Sequence, residues 1–166
     1  MKQQTRSRRI RWLALTLGML ISTNSFAPPT PKPLVFSSLV NPTFGDLLAG
    51  VSGRNFILGT NGAVSGIDAA DYVSGAAAGS LLITGDASTS VSIQATNLIA
   101  DGGVSIVNIT CNYDATGDQD CITGFTGAPP RSQGRILLIG MEINTTTAHG
   151  DNDTAAPSFD IVVNYI

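Results

Sequence analysis

The side chains most used to move protons or hold metal ions are few in this chain: one histidine, two cysteines and twelve carboxylates, of which only Glu142 is a glutamate. His149 lies in AHGDNDT. With a serine and an aspartate it would make a nucleophilic triad, but no G-x-S-x-G elbow exposes such a serine, and the residue reads as a solvated loop histidine. Glu142 alternates with Met141 and Ile143, which puts it on the solvent side of a strand. A glycosidase-type pair of carboxylates would fall to aspartates, and none stands at a strand end beside an aromatic platform. The reading is a chain that is not an enzyme, with no catalytic residue and no cofactor.

Two acidic loops offer the hard oxygen ligands that calcium takes. Asp114, Asp118 and Asp120 lie in DATGDQD; Asp151, Asn152 and Asp153 lie in HGDNDT. Neither has EF-hand spacing or a bidentate glutamate. Plain polar loops are the alternative, and no metal ligand is assigned. Cys111 and Cys121 bracket the first loop. In an exported chain such an isolated pair forms a disulfide; a metal-binding pair would need a histidine or third cysteine nearby.

Export is read from the front end. Lys2, Arg6, Arg8, Arg9 and Arg11 precede an apolar run from Trp12 to Ile21, and Ser25 and Ala27 stand at the positions a signal peptidase reads. Residues 1–27 are therefore a predicted signal peptide, its run too short to span a bilayer comfortably. No stable membrane span is expected after cleavage. Location is expected in the periplasm, at the cell surface or outside the cell. Residues 28–33, PPTPKP, form a Pro-rich leader, extended and exposed. From residue 28 onward four cations, Lys32, Arg54, Arg131 and Arg135, face twelve carboxylates, a net charge of −8. No basic patch meets a phosphate backbone, which argues against nucleic acid.

Between these landmarks the pattern is all strand. Short β-branched runs are broken every eight to twelve residues by Gly, Ser, Asn and Asp. The candidates are 34–40; the runs flanking the Asn61-Gly62 turn; Leu81–Thr84; Ser90–Thr96; VSIVNITCNY, with Val107, Ile109, Cys111 and Tyr113 on one face; RILLIGMEINTT, with Leu137, Ile139, Met141 and Ile143 inward; and SFDIVVNYI. Residues 67–80 read as an irregular connection, with a short helical turn as the alternative. The expected fold is a single antiparallel immunoglobulin-like or pilin-like β-sandwich over 34–166. The last strand, with Phe159, Ile161, Val163 and Tyr165 on one parity, is either an ordinary final strand or an edge that another chain meets.

The chain resembles an uncharacterised family of secreted bacterial domains related to spore-coat-protein-U-like and archaic chaperone–usher pilus subunits. The likeness rests on Phe44, Gly45, Gly50 and Gly53 in NPTFGDLLAGVSG; on Gly59, Gly62, Thr84 and Gly85 around LLITG; on VSIQATN; and on Gly140, Ile161, Val163 and Tyr165 in ILLIGMEI and FDIVVNY. Subunits of that kind have an incomplete sandwich whose groove accepts a strand from a chaperone and then from a neighbouring subunit. The resemblance implies a structural or accessory subunit of a surface fibre. Its partners would be a periplasmic chaperone, an usher or neighbouring subunits, with Phe159, Ile161, Val163 and Tyr165 lining the groove. A donor strand is harder to place. Ahead of Leu34 stands only PPTPKP, and proline cannot complete both sides of a ladder. Leu34, Phe36 and Val40 are the alternative donor side chains. A self-contained secreted module binding protein or glycan is the other functional expectation.

Overall fold

A computed structural model describes residues 30–48, 52–148, 150 and 153–166. The predicted signal peptide, Pro28 and Pro29 of the leader, Gly50, His149, Asp151 and Asn152 lie outside the described residues.

The described chain is all-β, in several antiparallel sheets. Its strands are β1 (Val35–Val40), β2 (Asp46–Leu47), β3 (Asn55–Leu58), β4 (Val64–Ser65), β5 (Tyr72–Ser74), β6 (Gly79–Thr84), β7 (Val91–Ile99), β8 (Val104–Tyr113), β9 (Gln119–Asp120), β10 (Phe125–Gly127), β11 (Arg135–Thr145) and β12 (Ser158–Tyr165). The 67–80 connection holds a single 3-10 turn, Ala69–Asp71, followed by β5.

The largest sheet is organised around β11. One edge of this strand pairs with β8 along nearly its whole length. The other edge is shared: Arg135–Ile139 pair with β6, and Met141–Asn144 pair with β3. β1 is added outside β6, β4 outside β3, and β9 outside β8. The β3–β4 hairpin turns at Asn61-Gly62, where Gly62 takes φ 81°, a conformation that a side chain disfavours. A second sheet has the order β10-β7-β12, and β2 pairs with β5 in a two-stranded ribbon.

Strand alternation builds the core. Leu137, Ile139, Met141 and Ile143 of β11 are buried, as their parity predicts, while Ile136 is exposed. They join Phe56 and Leu58 from β3, Leu81 and Ile83 from β6, and Val91 and Ile93 from β7 in one apolar cluster that both larger sheets share. In β8 the predicted face is corrected at one residue. Ile109, Cys111 and Tyr113 are buried, but Val107 is 49% exposed. The β8–β11 register slips there: Glu142 opposes Asn108, and Ile143 opposes Ile106. Val107 is thus an extra residue in the ladder, a bulge that reverses the parity N-terminal to it. Val104, not Val107, reaches the core.

Candidate functional site

Residues of the three-stranded sheet and of the sheet built on β11 together line a groove of about 1330 Å³. β12 forms one wall, contributing Phe159 and Ile161; β1 and the segment after it form the other, contributing Phe36, Leu39 and Phe44. Leu81, Met141 and Ile143 form the floor, at most 7% exposed. The accessible apolar surface therefore lies on the walls, where Phe36, Leu39 and Val162 are 48%, 65% and 40% exposed. β12 pairs with β7 alone and β1 with β6 alone among the described residues. Each strand thus has an edge of backbone groups without a ladder partner, the condition for strand addition.

The four residues singled out on the last strand do different things. Phe159 and Ile161 are half-buried in the groove wall. Val163, 8% exposed, opposes Ile93 of β7 and belongs to the core. Tyr165 is a clamp. Its hydroxyl donates to the Lys32 carbonyl at 2.6 Å and accepts from the Asp86 amide at 2.6 Å. The leader, the turn after β6 and the end of β12 meet at this one oxygen. Tyr165→Phe should keep the fold, lower its stability by about 1–2 kcal/mol for the two lost bonds, and speed hydrogen exchange at the Asp86 amide. Unchanged exchange there would show that the clamp does not hold in solution.

Cys111 and Cys121 are bridged, with Cα atoms 5.4 Å apart. Both are fully buried. The bridge fastens β9 to β8, where Cys111 opposes Gln119. Replacing both cysteines by alanine should cost roughly 2–3 kcal/mol from loop closure alone, read as a lower Tm that is matched when wild type is reduced. An unshifted Tm would count against the bridge as a stabilising element.

The carboxylates of the intervening loop are spoken for separately. Asp114 pairs with Arg135, which also donates to the Pro129 carbonyl. Asp118 accepts from Thr60 and Asn112. Asp120 accepts from the Ile122 amide. Among the described residues no group of three or more His, Cys, Asp or Glu side chains could hold a metal ion. Asp151 and Asn152 of the other acidic loop lie outside the described residues, as does His149. Glu142 accepts from Asn55 at 2.8 Å on the outer side of β11.

One ion cluster escaped sequence reading. Arg54 pairs with Asp68 at 2.7 Å and Asp71 at 2.9 Å, fastening the 3-10 turn beside β3. The Asn55 amide first, and Arg54 next, hold the Asp68 carboxyl below the usual carboxylate range. Asp86 is held low by the hydroxyl and amide of Ser88. A carboxyl whose folded pKa lies below its unfolded value near 4 stabilises fully above that value, and the contribution is lost as pH falls through the folded pKa. Tm should therefore fall as pH drops from about 5 to about 2, and Asp68→Asn should flatten that fall. A variant with the wild-type acid slope would refute the assignment.

The Tyr113 hydroxyl is buried with no hydrogen-bond partner among the described residues, and burial pushes the phenol above its ordinary range.

Comparison with protein-family models, with curated proteins and with solved structures finds no match. Among the described residues no helix is long and apolar enough to cross a membrane.

Proposed function

We propose that this chain is a structural or accessory subunit of a bacterial surface fibre, assembled by strand complementation. Its body is a single antiparallel immunoglobulin-like or pilin-like sandwich with room for one more strand. The observation that carries this reading is the open edge of β12 beside an apolar groove of about 1330 Å³. A strand entering there gains ladder bonds from β12 and sets alternate side chains against Phe159 and Ile161 on one wall and Phe36 and Leu39 on the other. Main-chain bonds supply affinity and alternate side chains supply selectivity. The partners of such a subunit are a periplasmic chaperone, an usher and neighbouring subunits, and its place is the periplasm and cell surface.

A synthetic peptide of alternating Val and Thr, about ten residues long, tests the reading on the purified protein. It should bind, raise Tm and slow exchange of the β12 amides that point away from β7. No binding, with every amide from 159 to 165 already slow in a stable monomer, would overturn it and leave the self-contained binding module as the reading.

A further inference from the structure

The groove wall is not only apolar. Among the described residues lining it, the charged side chains are Asp46, Asp153, Asp160 and Arg54. Arg54 is already neutralised by Asp68 and Asp71. The three aspartates are exposed, and their hydrogen-bond partners are uncharged. Asp153 accepts from the Gly150 amide at 2.6 Å, Asp160 from the Asn97 side chain at 2.7 Å, and Asp46 from Ser74 at 3.5 Å. No salt bridge reaches any of the three among the described residues. An apolar groove with an unbalanced acidic rim selects on charge as well as shape.

We infer that the strand accepted here belongs to a separate protein and carries Lys or Arg beside its alternating apolar residues, so that a second copy of this chain is not its natural donor. The inference rests on the strand-accepting reading above and names its partner. Charge complementarity argues for it on both sides. Basic flanks on the incoming strand meet Asp46, Asp153 and Asp160. The chain itself has little to offer them. From residue 28 onward it holds four cations against twelve carboxylates, so two copies repel as they approach. Arg54 and Arg135 are both held in ion pairs. Lys32 is the one cation near the segment 34–40, and a proline follows it. Placing the three aspartates around the groove also protects it, because a free edge strand beside exposed apolar side chains invites self-association, and like charge opposes that.

Three peptides decide the matter on the purified protein by titration calorimetry. The first has the alternating Val/Thr core with two lysines at each end, the second has the same core with glutamates, and the third is residues 30–41 of this chain. The lysine peptide should bind at least roughly ten-fold tighter than the glutamate peptide at low salt, with the gap closing near 0.5 M salt. The triple variant Asp46→Asn, Asp153→Asn, Asp160→Asn keeps the side-chain acceptors and should bind both designed peptides alike, its Tm showing that it is folded. Equal binding of the two designed peptides to wild type, or a gap that survives in the triple variant, overturns the charge inference and leaves the strand-accepting reading in place. The 30–41 peptide binding as tightly as the lysine peptide makes a second copy the donor and also overturns it. If no peptide binds, the strand-accepting reading falls first and the inference with it.

Discussion

Gly140→Val should abolish the native fold or lower Tm by roughly 10 °C or more. Gly140 lies where β11 changes partner, one residue past its last pair with β6 and one before its first pair with β3. Opposite, it pairs with Thr110 of β8, so neither edge of the strand can yield freely. A Cβ at this position would run into the Leu58 carbonyl and stand 3.0 Å from the Thr60 nitrogen and 3.1 Å from the Gly59 carbonyl carbon. All of these are backbone atoms, which cannot rotate aside as a side chain would. The β3–β4 hairpin must then shift, carrying fully buried Leu58 and nearly buried Phe56 out of register with the core. Overpacking alone costs about 1–3 kcal/mol, and lost ladder bonds add to it, against a total stability of only about 5–15 kcal/mol for ordinary domains. Gly140→Ala should show the same effect in smaller measure. Thermal melts of both variants check this. A valine variant melting within about 2 °C of wild type would mean that the junction is looser than its geometry implies.

Two aspartates placed two residues apart on β12 should give opposite outcomes. Val163→Asp should unfold the monomer. Val163 packs in the shared core opposite fully buried Ile93. A carboxylate there would be desolvated with no cation beside it among its ladder neighbours, a penalty of several kcal/mol beyond the lost apolar burial. Ile161→Asp should leave a folded protein with a modest loss, about 1–2 kcal/mol for partial burial forgone, because its side chain lines the groove and can find water there. What it should lose is strand binding, by roughly ten-fold or more, since a charge then stands where the incoming apolar residue must dock. Circular dichroism and Tm score folding, and titration with the alternating Val/Thr peptide scores binding. Two variants failing to fold alike would show that Ile161 belongs to the core; Ile161→Asp binding the peptide normally would remove it from the groove wall.

What the amino-acid sequence determined by itself is what short-range physics controls. Period-two alternation and the turn residues that end each run located the long strands, because a strand's side chains alternate whatever it pairs with. The inward set on β11 follows from that rule alone. The Cys111–Cys121 bridge was legible for a related reason: two cysteines so close in the chain close a short loop with no distant partner to find. The strands β2, β5, β9 and β10, of two or three residues each, carry too little pattern to be read that way; β9 and β10 form against the longer strands β8 and β7, and β2 and β5 form against each other.

Tertiary structure decided everything that depends on which segments become neighbours. Alternation put Val107 on the buried face, and a register slip against β11 turned it outward, a choice made by the pairing and not by the residue. It put Phe159, Ile161, Val163 and Tyr165 in one row, but could not show that two of them line a groove, one packs in the core and one acts as a clamp. The partners of the Tyr165 hydroxyl are 79 and 133 residues away in the chain, and Arg54 finds Asp68 and Asp71 only because β3 and the 3-10 turn are brought together. The groove is further still from the sequence, since its lining comes from β1, β3, β6, β11 and β12, segments far apart in the chain. A pattern within one strand fixes which way its side chains face, and only the assembly of all the strands fixes what they face.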